Sequence, residues 1–224
     1  MKKIILSVLL FSQIATAKVI RVAVVDSGLD PKYNHVLCKE GSKDFTGFGL
    51  DDGDKRKHGT NIAGVINSFA GYPKASEFCI VVLKYYDERY VGNTTVLAVL
   101  AFREAVRLGV DVINFSSTGR TPNLYEKYIL RAALKRGIKV FVPSGNEDLD
   151  LDKDCSVFPA CYEELPGLTV VGRSDIIGGA GRGKVVDVYE NGGDVSGFGI
   201  TQTGTSQATA SACGKEIRRM LDAK

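Results

Sequence analysis

Short unbroken apolar runs alternate along this chain with longer stretches in which apolar residues recur every three or four positions. An unbroken run of four to eight apolar residues reads as a strand buried on both faces; recurrence at the helical period reads as a helix with one buried side. Strands are therefore expected at residues 19–25, 78–83, 110–115 and 138–142, with shorter ones at 168–171 and 184–188. One helix is expected from His58 to Phe69, with Ile62, Val65, Ile66 and Phe69 on one side. A second runs from a cap at Thr94 or Thr95 to Leu108 and stops at Gly109, and a third runs from Pro122 to Arg136 and stops at Gly137. A last helix follows Gly204, with a Ser or Thr as N-cap, and continues to Leu221. Strands alternating with helices of this length predict an α/β protein, a three-layer α/β/α sandwich around a mostly parallel sheet.

Residues 1–17 lie outside that pattern. Lys2 and Lys3 precede an apolar run from Ile4 to Phe11, and Ala15-Thr16-Ala17 supplies a small-residue cleavage site, the layout of a secretory signal peptide. The run is too short to span a membrane, no later stretch qualifies, and Lys18 rather than Cys follows the expected cut, so no membrane anchor is expected. The remaining chain, 18–224, is long enough for one domain with a substantial core. The protein is expected to be secreted or periplasmic. Its formal charge of +3 falls to +1 when the two leader lysines are lost, and no basic patch or motif points to nucleic acid.

Export changes how the five cysteines are read. An odd count in an exported protein leaves at least one thiol unpaired. Cys155 and Cys161, close together in a polar loop, are the favoured pair, Cys38 with Cys79 is the pair left over, and Cys213, inside the last helix, is expected to be a small buried residue.

In parallel α/β sheets, sites form beyond the carboxyl ends of the strands. Three polar segments fall there: Asp26-Ser27-Gly28, Ser116-Ser117 and Ser144-Gly145-Asn146. Of the two histidines, His35 sits in a polar loop and His58 opens a helix. Ser206 stands at the start of the last helix, where unpaired N–H groups favour developing negative charge. A serine hydroxyl needs a base within reach, and an imidazole base needs a carboxylate on its other nitrogen. Asp26, His58 and Ser206 supply those three groups.

Three segments carrying these residues resemble the signatures of subtilisin-like serine proteases (peptidase S8), in that family's order: residues 22–30 around Asp26-Ser27-Gly28, His58-Gly59-Thr60 through Gly64, and Gly204-Thr205-Ser206-Gln207-Ala208. Residues 142–147, with Ser144-Gly145-Asn146, resemble the oxyanion-hole segment, and Asn114-Phe115-Ser116 resembles the segment that pairs with substrate as an added strand. The likeness continues through Pro159-Ala160 and residues 168–172, so it covers nearly all of the mature chain. It implies a serine endopeptidase acting on polypeptides, with Asp26, His58 and Ser206 as triad, Asn146 in the oxyanion hole, and Ser116, Ser117, Ser144 and Gly145 against substrate. Ser27 is expected to bond the Asp26 carboxylate or to stabilise the turn.

Several positions depart from the family. Asn61 replaces a second histidine, Ala210 a proline, Ser117-Thr118 an apolar-glycine pair, and residues 189–193 an Ala-Pro-Gly turn. Only eight residues separate the expected cut from Asp26, which leaves no room for the family's propeptide, and unaided folding is expected. Acidic runs at Asp51, Asp52 and Asp54, and at Glu147, Asp148, Asp150, Asp152 and Asp154, do not fit an EF-hand loop and read as solvated loops. No cofactor is required for the chemistry; structural Ca²⁺, bound by many relatives, stays open. Asn93-Thr94-Thr95 matches a glycosylation acceptor, given no weight beside a leader of bacterial type. The chain is expected to be monomeric. The alternative is a secreted binding protein that keeps the fold without competent geometry; an esterase of the α/β-hydrolase kind is excluded because Ser206 comes last and lacks the Gly-x-Ser-x-Gly elbow.

Overall fold

The computed structural model describes residues 18–162, 165–176 and 178–224; the leader and its cleavage site lie outside the described residues. Seven strands form one sheet: β1 (Ile20–Asp26), β2 (Lys43–Asp44), β3 (Phe78–Lys84), β4 (Val112–Asn114), β5 (Lys139–Pro143), β6 (Leu168–Arg173) and β7 (Val188–Glu190). Their order is β2-β3-β1-β4-β5-β6-β7, and every pairing is parallel. Helices α1 (His58–Phe69), α2 (Thr94–Leu108), α3 (Leu124–Lys135) and α4 (Thr205–Asp222) cover the two faces. The three-layer α/β/α sandwich expected from the pattern is the architecture found.

Alternation along β1 shows how the layers are sorted. Ala23 and Val25 face one core with α2 and α3 residues such as Phe102 and Leu130, while Val22 and Val24 face the other with Ile62 and Ile66 of α1 and Ala208 and Ile217 of α4. Period-two side-chain direction in the strands thus feeds both cores, which is why the strand sequences are apolar throughout.

The α2 boundaries match the expected ones, but its cap is Asn93, whose side chain accepts the Thr95 amide at 2.9 Å. Asn123 likewise caps α3, so that helix starts later than Pro122. Phe69, expected on the buried side of α1, is 40 % exposed. There the α4 backbone at Gly214 comes so near that a Cβ would sit 2.6 Å from the Phe69 Cβ, and the ring turns outward. The strand expected at 184–188 forms instead at Val188–Glu190. The pattern did not foresee β2, a 3-10 turn at Pro31–Val36, or the antiparallel hairpin of β8 (Val195–Gly197) with β9 (Ile200–Gln202).

Both expected disulfides are present, Cys38–Cys79 and Cys155–Cys161, and Cys213 is a buried free thiol. Among the described residues no helix is long and apolar enough to cross a membrane.

Candidate active site

Strand order reverses at β1, with β3 on one side and β4 on the other, and the carboxyl ends of these strands open the crevice where sites form in such sheets. Asp26 is the last residue of β1 and is 5 % exposed. Its Oδ1 lies 2.8 Å from His58 Nδ1 and also accepts the Ser27 amide at 2.7 Å and the Ser27 hydroxyl at 3.2 Å. The Ser27 hydroxyl in turn accepts the Gly59 amide at 3.0 Å, so Ser27 both bonds the carboxylate and fastens the turn to α1. A methyl group at Gly59 would collide with the Gly28 carbonyl, which is why glycine follows His58. Because the carboxylate accepts from Nδ1, Nε2 is left as the basic nitrogen. Burial pulls the imidazolium pKa down, but the Asp26 charge and hydrogen bond outweigh it, so the net shift is upward.

His58 opens α1 without a side-chain cap on the preceding residue, Lys57, which is left-handed at φ 60°. The cap comes from the loop: Asp54 Oδ2 accepts the Thr60 amide and hydroxyl, each at 2.8 Å. Asp54 is thus a buried helix cap rather than a solvated loop acid. The fully buried Lys84, in register with Asp26 on the adjacent strand, donates to the Gly53 carbonyl at 3.0 Å and pairs with Asp87 at 3.1 Å, anchoring the same loop. Arg89 holds Asp87 and Asp52, and its hydrogen bond, with that of Lys84, keeps the Asp87 carboxyl far below the usual range.

Ser206 is the second residue of α4 rather than its N-cap; Gly204 occupies the cap position and provides no side-chain bond. The Ser206 amide has no acceptor among the described residues. Its hydroxyl donates to the Ser116 carbonyl at 2.9 Å rather than to His58, and the Ser116 hydroxyl donates back to the Ser206 carbonyl at 3.1 Å. Asn114 Nδ2 donates to the Ser116 hydroxyl at 2.9 Å, while its Oδ1 is buried without a partner. Asn146 Oδ1 accepts the Thr205 amide at 2.7 Å and the Thr205 hydroxyl at 2.9 Å. With that oxygen held, the Nδ2 hydrogens are the donors Asn146 keeps for the cleft.

One fully buried side chain links base and serine. Asn61, one turn into α1, donates to the Val195 carbonyl at 3.1 Å and the Ile200 carbonyl at 2.7 Å and accepts Gln207 Nε2 at 2.9 Å. It thereby ties the β8–β9 hairpin and the start of α4 to the helix bearing His58.

Asp26, His58, Ser116, Ser117, Asn146 and Ser206 converge on one cleft of about 510 Å³. Ser144 and Gly145 do not line it. Ser144 is fully buried, with its hydroxyl on the Gly181 carbonyl at 2.8 Å, and Gly145 adopts φ +98° beside Val157. The geometry therefore removes Ser144 as a side-chain contact for substrate. The cleft also gathers Thr118 and Thr205, and four residues not singled out in the sequence: Arg56, Tyr85, Tyr86 and Gln202. Tyr85-Tyr86 directly follow a strand's carboxyl end, a signal that would have found them. Burial, then the nearby Asp26 charge, push the Tyr85 phenol far above its ordinary range, so it stays neutral.

Among the described residues no group of three or more His, Cys, Asp or Glu is placed to hold a metal ion. In the second acidic run, Asp148 pairs with Arg182, Asp150 with Lys153 at 3.0 Å, and Glu147 with Arg120.

The Subtilase family model matches residues 17–216. Subtilisin E of Bacillus subtilis (strain 168) is 27% identical over 170 residues, covering 74% of this chain and 44% of that protein. The major intracellular serine protease of the same strain is 30% identical over 166 residues, covering 66% and 50%. Alkaline protease 1 of Aspergillus clavatus is 26% identical over 212 residues, covering 88% and 51%. The chain thus spans about half the length of these relatives. A lanthipeptide protease structure superposes with TM-score 0.73 at 21% identity, covering 91% of this chain and 74% of that one. A cold-adapted subtilisin-like serine proteinase superposes with TM-score 0.68 at 21% identity, covering 91% and 76%. At such identities these two establish the fold.

Proposed function

The chain belongs to the subtilase family, and from that premise we propose that it is an exported serine endopeptidase working through an acyl-enzyme. The observation that carries the reading is the 2.8 Å Asp26–His58 pair, set in the same cleft as Ser206 and its unspent backbone amide. A peptide strand laid beside residues 114–118 brings its carbonyl to Ser206. The hydroxyl swings from the Ser116 carbonyl to His58 Nε2, gives up its proton there, and Oγ attacks the carbonyl carbon. Asp26, holding Nδ1–H, stabilises the imidazolium. The tetrahedral oxyanion accepts from the Ser206 amide and Asn146 Nδ2. His58 then returns the proton to the leaving amine as the C–N bond breaks, and water cleaves the ester by the same route reversed.

Export rests on the 1–17 leader and suits the two disulfides. The test is a fluorophosphonate probe on protein from Lys18 onward, with Ser206→Ala as control and the adduct located by peptide mapping. Labelling at Ser206, absent in the control, is expected. A folded sample that takes no label overturns hydrolysis and favours a binding protein on this fold.

A further inference from the structure

The cleft is electrically lopsided. In the segment that follows Asn146, Glu147 is paired with Arg120 and Asp148 with Arg182, and none of these four lines the cleft. On the His58 wall stands Arg56, exposed, two residues before the base and within the tripeptide Lys55-Arg56-Lys57. Lys55 lies 3.5 Å from Asp52, and Arg89 nearby is held by Asp52 and Asp87. Arg56 has no carboxylate partner among the described residues. Its guanidinium carbon lies 5.1 Å from the Tyr86 ring centroid, and one Nη reaches the Tyr86 hydroxyl at a long 3.3 Å. The stacked ring orients the fork and leaves most of its five donors free. The backbone beneath is not loose: the Gly53 carbonyl is held by buried Lys84, Asp54 is locked to Thr60, and the Lys57 amide bonds the Asp54 carbonyl at 3.2 Å. The other charge on this wall, Asp26, is already bonded to His58 and Ser27.

Successive side chains of an extended peptide point to opposite sides. With the attacked carbonyl between Ser206 and Asn146, the side chain of that residue and the side chain before it face opposite walls. We propose that Arg56 makes this cleft select an acidic side chain, Asp or Glu, at the residue immediately N-terminal to the one whose carbonyl is attacked. The guanidinium fork and a carboxylate match in shape and charge, and Tyr86 holds the fork ready. This selection rests on the hydrolytic reading above.

The experiment has two stages. Cleavage sites are first mapped in a proteome-derived peptide library. The best-cut sequence is then remade with Glu, Gln or Lys at the chosen position and assayed with Ser206 titrated by fluorophosphonate. Glu is expected to exceed Gln by about tenfold in kcat/KM, with Lys lower still, the gap narrowing at high salt. In Arg56→Glu the order should invert in favour of Lys. A flat profile, or the same order in both proteins, overturns the selection while labelling at Ser206 leaves hydrolysis standing. Absence of labelling in folded protein removes both.

Discussion

The two helical layers flanking the sheet obey different rules. In α2 and α3 one stripe is buried, the other sides are exposed, and an asparagine side chain caps each N-terminus. In α1 every residue from Gly59 to Asn67 is buried, and in α4 every residue from Thr205 to Gly214. Neither of these has a side-chain cap on its flanking residue. Among their polar residues, Thr60 bonds Asp54, Asn61 and Gln207 bond each other, and Thr209 and Ser211 bond carbonyls one turn back. One layer is a covering built from local signals. The other leaves its cap positions without a side-chain bond, as the proposed chemistry needs at Ser206, and takes its capping from the preceding loop at Asp54 and from Asn146, 59 positions away.

That contrast can be broken by substitution. Asn146→Ala should lower kcat by roughly 10²–10³ with KM nearly unchanged, a magnitude known from subtilisin's own oxyanion-hole asparagine rather than obtained from this geometry. Because the change also removes two bonds to Thr205, steady-state kinetics on a sample shown to be folded at the assay temperature decides it; near-normal turnover would deny Asn146 the role. The pH profile comes next. His58 works as a base only when neutral, and its pKa is raised, so kcat/KM should climb through an inflection above about 6.5. The sign for stability is opposite: the pair's contribution is complete below His58's unfolded value and is lost as pH rises through the folded one. An inflection at or below 6.5 would mean that burial, not Asp26, governs the imidazole.

Asn61→Ala removes two donations to hairpin carbonyls and leaves Gln207 Nε2 with only its 3.3 Å bond to Gln202, and should lower stability by about 2–3 kcal/mol in chemical denaturation. In the functional layer a lost structural bond should also reach the chemistry, so kcat should fall with it. Asn123→Ala is the matched change in the covering layer. It removes the bonds to Tyr125 and Glu126 and should cost about 1 kcal/mol with kcat unaltered. If the two variants altered kcat alike, the division between the layers would be false.

Legibility follows the same line. The bounds of α2 were readable because Gly109 and the turn before Thr94 are local punctuation, and Asp26, His58 and Ser206 could be picked out as candidates because each sits in a contiguous motif. The displaced β7 and the unforeseen β8–β9 hairpin are three-residue elements that pairing creates, with too few positions to show a period. Ser144 and Asn146 lie two residues apart in one motif, yet one is sealed against Gly181 and the other faces the cleft.

By itself, then, the sequence determined what can be specified within a few turns of chain: the succession of strands and helices, the two core-facing patterns, and which residue types carry an acid, a base and a nucleophile. Tertiary structure decided which of them meet. Asp26 and His58 are 32 positions apart, Ser116 and Ser206 90, Asn61 and Gln207 146. Distances of that kind are set by strand order and by the close approach of backbones at glycines, which no local pattern encodes. The state of Arg56 has the same origin, since only the assembled fold gives Arg89, Arg120 and Arg182 carboxylate partners and sets Arg56 over the Tyr86 ring with no carboxylate among the described residues.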